Sequence, residues 1–211
     1  MMEQYIVFGA GGHAKIVLDI LELNKKTIAG LVDPCLNSSC MGYSVLGTDD
    51  CVDEMKEKGI LYAAMGIGQV GETGIRNHVY RRAKDSGMIF PVISHPSSVI
   101  AASAALGMGT VCAAMSVVNS ESVIGELCII NTASVVEHEV VIGSGAHVAP
   151  HATILGGARI GDNTFVGAGS VVLQGVTVGK DCIIGAGTVI LEDVPDNSIV
   201  VGTPGRIIKK R

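Results

Sequence analysis

The sequence predicts an α/β head over residues 1–92 followed by an all-β prism of parallel strands over 93–211, and three observations carry that prediction. From Ile100 to Pro195 the chain repeats every six residues without a break. The first ninety or so residues instead alternate short apolar runs with amphipathic stretches. Aromatic residues make up 3% of the chain and tryptophan is absent, which suits small aliphatic side chains stacked inside a narrow body.

In the head, apolar runs at Tyr5–Phe8, Ile28–Val32, Leu61–Met65 and Met88–Ile93 read as strands. Between them lie helical stretches: Ala14–Leu23, with Ile16, Val17, Ile20 and Leu21 on one face, about Asp49–Lys58, and about Gly74–Ser86. Such alternation predicts a small parallel sheet flanked by helices. The Pro- and Ser-containing stretch Pro91–Ser98 reads as the linker.

Between the first strand and first helix stands Gly9-Ala10-Gly11-Gly12-His13-Ala14, a G-x-G-x-x-A pattern, and Asp33 ends the second strand. This Rossmann-like layout puts phosphate on a helix N-terminus and a ribose hydroxyl on the acidic residue. A head of this length supplies one mononucleotide-binding half, so a nucleotide joined to something smaller than a second nucleotide, such as a sugar, fits best. His13 stands beside the presumed phosphate as a donor or as an exposed first-turn residue. The same glycines would equally serve only to turn the strand tightly into the helix.

In the prism, the first position of each hexad is Ile, Leu or Val in fifteen of sixteen units, with Cys112 in the other, and the fifth is always small or β-branched. A strand repeats every two residues and a helix every 3.6, so a period of six requires a chain that turns once per unit. Three units close one triangular coil of a parallel β-helix. Sixteen units give slightly over five coils and, at roughly 4.8 Å per strand, a body on the order of 25 Å long. Glycine at the second position of seven units, Gly107, Gly125, Gly143, Gly161, Gly167, Gly179 and Gly185, is read as serving the tight turn.

Residues eighteen apart stack, which sets Gly156 over His138 and Phe165 over His147. His138 lies between Glu137 and Glu139 at a corner. An imidazole topped by a backbone N–H without a side chain is a base and oxyanion donor suited to acyl transfer. Pro150, Ala168 and Ala186 form a second column of slim residues able to accept an extended ligand arm. His138 and His147 differ by half a coil and need not meet within one chain, so a site at the subunit interface of a homotrimer is expected.

The net charge of −5 offers no basic footprint for nucleic acid, no apolar run approaches a membrane span, and no signal peptide precedes the first strand, so a cytoplasmic protein is expected. No cysteines form a CxxC pair. Cys112, Cys128 and Cys182 occupy inward slots of the repeat as core fillers, while Cys35, Cys40 and Cys51 fall in a loop region, where a reactive or metal-binding role stays open. Zinc between three histidines of a trimeric β-helix is disfavoured, because His147 and His151, four apart on a coiled strand, do not share a face.

The repeat, GAGGHA, the segment INTASVVEHEVVIGSGAHVAPHATILGGARIGDNTFVGAGSVV and the closing VVGTPGRIIKK together resemble the bacterial sugar O- and N-acyltransferases of the sialic acid O-acetyltransferase family, including those acting on UDP-4-amino sugars. The resemblance covers essentially the whole chain. It implies a left-handed β-helix, acetyl-CoA as donor, His138 as general base oriented by Glu139, and Gly156 at the oxyanion; with zinc disfavoured by the histidine spacing, no metal is expected. It also implies acetyl-CoA contacts at His147, Gly156, Ala168 and Ala186, and a UDP-sugar held by Gly11, Gly12, His13, Asp33 and Gly66. Pro34 stands where the family often has a second acidic residue, and no long loop interrupts the repeat. Sialic acid O-acetylation and a non-catalytic trimeric scaffold binding a sugar nucleotide are the alternatives.

Overall fold

The computed structural model describes residues 3–35, 39–70 and 74–211, in two units, residues 1–96 and 97–211. In the first unit, β1 (Gln4–Phe8), β2 (Thr27–Val32), β3 (Ser39–Cys40), β4 (Tyr43–Gly47) and β5 (Tyr62–Met65) form one sheet in the order β3-β4-β2-β1-β5. All neighbours are parallel except the β3–β4 hairpin. Helices α1 (Gly12–Leu23), α2 (Val52–Glu57) and α3 (Gly74–Asp85) connect or flank the strands. Helix α1 buries Ala14, Val17, Leu18, Ile20 and Leu21, whereas Ile16 is only half-buried. The apolar stripe is therefore centred one position further round than its sequence suggested.

Two expectations for the head change. The run Met88–Ile93 is not a strand along its length: Ile89 makes a single bridge to Tyr62, and regular pairing resumes only at Ile93–Ser94. The hairpin of β3 and β4 lay hidden because β3 is two residues long and β4, only partly buried along its length, has no apolar run to announce it. It moves Cys40 out of the loop region into a buried strand position, and Cys51 into a short 3-10 turn.

In the second unit, sixteen two-residue strands recur every six residues from Val99–Ile100 to Val189–Ile190 and stack into three parallel faces. The first face carries 99–100, 117–118, 135–136, 153–154, 171–172 and 189–190. The second carries 105–106 through 177–178, and the third 111–112, 129–130, 147–148, 165–166 and 183–184. Partners differ by eighteen residues, as in Val117↔Val135 and Val135↔Thr153. This is the left-handed parallel β-helix. Its interior is a column of branched side chains such as Val118, Val136, Ile154 and Val172, all fully buried.

The fifth-position hydroxyls explain the preference for small residues there. They sit inside and cap corner carbonyls: Ser134 Oγ donates to Asn131 O at 2.7 Å, Ser122 Oγ to Glu137 O at 2.7 Å and Thr164 Oγ1 to Gly179 O at 2.7 Å. Cys128 and Cys182 fill the same slot with a thiol, Cys128 Sγ reaching Gly143 O at 3.1 Å. Burial of these hydroxyls is thereby matched by a partner, with Thr188 Oγ1 the exception among the described fifth-position hydroxyls.

The second-position glycines have a different cause from the one expected. In fourteen of the sixteen units the left-handed turn residue is the fourth, not the second, and it is often not glycine: Glu139 (φ 59°), His151 (φ 59°), Asn163 (φ 57°) and Asp181 (φ 54°) adopt it. At the second position a side chain has no room. A Cβ on Gly125 would lie 2.6 Å from Ser144 N, and one on Gly167 2.6 Å from Ala186 N. These glycines let one corner rest on the next.

Candidate active site

His138 and Glu139 occupy the corner between the first face (Val135–Val136) and the second (Val141–Ile142). The left-handed backbone at Glu139 turns its carboxylate back on its neighbour, and His138 Nδ1 meets Glu139 Oε2 at 3.0 Å. A carboxylate only accepts, so the proton of the neutral imidazole sits on Nδ1 and the Nε2 lone pair is left for a substrate. The two side chains are 62% and 64% exposed in the single chain, open to an incoming acceptor.

Gly156 stacks on this imidazole as the eighteen-residue count requires. A Cβ there would lie 2.6 Å from both Cε1 and Nε2 of His138, so the ring occupies the volume a side chain would need. Its neighbour Gly157 donates N–H to His138 O at 2.9 Å and fixes the corner, while the Gly156 N–H makes no backbone hydrogen bond among the described residues. Glu137 turns to a structural task, accepting from Asn119 Nδ2 at 3.0 Å.

His147 lies elsewhere, on the third face, 7% exposed and edge-on to Phe165 with ring centroids 5.1 Å apart. Asn131 Nδ2 meets His147 Nε2 at 3.0 Å, and Asn131 Oδ1 accepts from Thr132 N at 2.8 Å. With its oxygen so engaged, the amide presents its NH2 to the ring, which makes Nε2 the acceptor and sets the His147 proton on Nδ1. Sequence reasoning missed Asn131. Its signal is positional: a polar residue at a second position, one coil below the His147 corner. Ala168 and Ala186 are exposed at the corner between the third and first faces, in the column with Pro150. His138, Glu139 and Gly156 thus stand at one edge of the first face and Ala168 and Ala186 at the other. His151 is an exposed turn residue whose N–H holds Thr132 O at 3.0 Å. Among the described residues no group of three or more His, Cys, Asp or Glu side chains could hold a metal, and no helix is long and apolar enough to cross a membrane.

In the head, Gly9 (φ 94°) is the position that demands glycine, and sequence reasoning did not single it out. Gly11 caps α1 without a side-chain bond, and neither Gly11 nor Gly12 has an atom within 4 Å of where a Cβ would sit, so both present backbone to open space. His13 is half-buried beside Gly68. Asp33 clamps the glycine loop: its Oδ2 accepts from Ala10 N and its Oδ1 from Cys35 N, both at 2.9 Å. Gly66 answers to packing, since a Cβ would lie 2.9 Å from Ala14 Cβ and from Phe8 O. The strand ends and α3 enclose a cleft of about 240 Å³.

Comparison with known proteins agrees with both units. Residues 4–83 match the PglD N-terminal domain and 157–192 the bacterial transferase hexapeptide (six repeats) family. PerB from Caulobacter crescentus in complex with CoA and GDP-perosamine is 34% identical, with 99% of each chain covered and a TM-score of 0.94. The chain belongs to the hexapeptide-repeat sugar acyltransferases. The acetyltransferase domain of PglB from Neisseria gonorrhoeae in complex with acetyl coenzyme A is 31% identical, covering 99% of this acyltransferase and 100% of that chain, with a TM-score of 0.90. WeeI from Acinetobacter baumannii, 22% identical over 99% of the acyltransferase with a TM-score of 0.76, shares the fold. Curated protein sequences give no match.

Proposed function

We propose that this acyltransferase moves the acetyl group of acetyl-CoA onto the 4-amine of a nucleotide-linked amino sugar in bacterial glycan assembly, working in the cytoplasm as a homotrimer with its sites between subunits. The observation that carries the reading is the His138 Nδ1–Glu139 Oε2 bond with the imidazole seated over side-chain-free Gly156. Nε2 takes a proton from the amine as its nitrogen bonds to the thioester carbonyl carbon, and the Gly156 N–H donates to the developing oxyanion. Collapse breaks the C–S bond, and the imidazolium returns its proton to the departing CoA sulfur. Glu139 keeps the imidazole in the competent tautomer and favours the cation that forms.

The separation of the two corner columns supports the trimer. A neighbouring copy would bring its Ala168 and Ala186, and the Asn131-held His147, against the His138 corner to form the pantetheine channel. In the head, the open backbone of Gly11 and Gly12 at the α1 N-terminus supports a diphosphate site, with His13 beside it. Asp33, its inner lone pairs spent on Ala10 and Cys35, offers the remainder to the ribose, and Gly66 lets α1 approach closely enough to aim the loop. The resemblance implies a UDP sugar; the GDP sugar held by PerB widens this to a nucleoside diphosphate sugar.

Release of CoA thiol from acetyl-CoA tests the reading with a panel of UDP- and GDP-linked 4-amino sugars, the same nucleotides carrying sugars without the amine, and sialic acids. Turnover confined to amino sugars is expected. Turnover confined to sialic acids would mean O-acetylation instead, and none with any acceptor would favour a binding scaffold.

A further inference from the structure

The cleft of the head has two kinds of wall. Pro34, Ile67, Ile75 and Val79 give it apolar sides able to take the flat faces of a ring, and Asp50 and Arg82 meet on its rim in an ion pair. The pair is surface-placed, Asp50 79% and Arg82 48% exposed, so both groups keep hydrogen-bonding capacity for a ligand. Asp33, further in, is occupied by the glycine loop. Directly beyond β2 the rim therefore offers an acceptor and a donor side by side, over an apolar slot at the C-terminal ends of the parallel strands, the usual place for a ligand in an open α/β sheet.

We propose that this cleft reads the base of the acceptor nucleotide and selects guanine over uracil, with Asp50 accepting from guanine N1–H and N2–H and Arg82 donating to O6. The inference rests on the nucleotide-sugar reading above and sharpens it. Guanine's edge runs acceptor, donor, donor, which an adjacent guanidinium and carboxylate complement group for group. Uracil's edge runs acceptor, donor, acceptor, so a carboxylate set against its single N–H is also set against a carbonyl oxygen. The preference is set by that repulsive contact of carboxylate against carbonyl oxygen in the uracil complex, beside the extra N–H contact that guanine alone makes.

The test is isothermal titration of the full-length protein with GDP, UDP and inorganic pyrophosphate, repeated for Asp50→Asn and Arg82→Ala with melting temperatures alongside. GDP should bind about ten-fold more tightly than UDP or better. Asp50→Asn should erase most of that ratio by weakening GDP and sparing UDP, and Arg82→Ala should weaken GDP more than UDP, both at unchanged melting temperature because the side chains are exposed. UDP binding as tightly as GDP, or a loss shared equally by both in Asp50→Asn, would overturn the base assignment while leaving the nucleotide-sugar reading in place. Should neither nucleotide bind better than pyrophosphate, the head would hold no nucleoside, and both readings would fall together.

Discussion

The β-helix and the head encode position in opposite ways. In the β-helix, one integer settles where each residue lies: add eighteen and the next coil is reached on the same face, as Ile129↔His147↔Phe165↔Ile183 illustrates. In the head, strand order and register depend on crossovers of unequal length, and β1 even changes register against β2 between Tyr5 and Ile6. A site on the β-helix is thus built by stacking and tolerates no change of side-chain size at its contact. A site in the head is built by loops and is tuned by what each loop carries.

Chemistry gives the largest expected break in this comparison. His138→Ala should lower kcat by about 10²–10⁴-fold, the contribution of a positioned general base. Gly156→Ala should approach it, because the added methyl claims the space of the imidazole. Both should keep a near-native melting temperature, since the His138 corner is exposed. Circular dichroism melts beside steady-state kinetics separate the two effects.

Packing comes next. Gly125→Val should cost about 3 kcal/mol in chemical denaturation, since its side chain would run into the Ser144 backbone of the next coil. Gly175→Asn, at a fourth position with φ 70° and open space around it, should change stability by less than about 0.5 kcal/mol, as Asn163 and Asp181 already adopt that conformation. Equal costs would contradict the distinction between packing glycines and turn residues.

A smaller, local effect belongs to the head. Asp33→Ala removes both acceptors holding Ala10 and Cys35, and nucleotide affinity should fall about ten-fold as the loop loosens. Acetyl-CoA affinity should not move, which calorimetry with each ligand checks.

The smallest effect is at the thiols. Exposed Cys35 should react first with a disulfide reagent at pH 8, whereas Cys112, Cys128 and Cys182 should wait for unfolding. Burial pushes the Cys112 thiol up to about 12. Its folded value exceeds its unfolded one, so this contribution to stability is complete below the ordinary thiol value near 9 and is lost as pH climbs towards 12.

What was legible in the sequence follows the same division. The coil count, the His138–Gly156 stack and the His147–Phe165 contact all came from the period, because parallel stacking leaves no freedom of register. The Glu139 contact owed more to the resemblance, since only the left-handed φ explains how a side chain next in sequence reaches back. Asn131 escaped notice because nothing in its neighbours marks it, and the role of the second-position glycines was misread because close approach and positive φ leave the same residue in the sequence. In the head, the glycine loop and Asp33 were visible, but the β3–β4 hairpin and the Asp50–Arg82 rim were not. Their partners are thirty-two residues apart for that pair, with no period to connect them.

Complementation between two inactive chains tests most directly whether the two corner columns act from different subunits. His138→Ala and Ala168→Trp chains, each inactive alone, should regain about a quarter of wild-type activity when unfolded and refolded as an equal mixture, the fraction of interfaces joining two intact halves. No recovery in mixed, correctly assembled oligomers would mean that a single chain holds the complete site, and a catalytic centre shared between subunits would be ruled out.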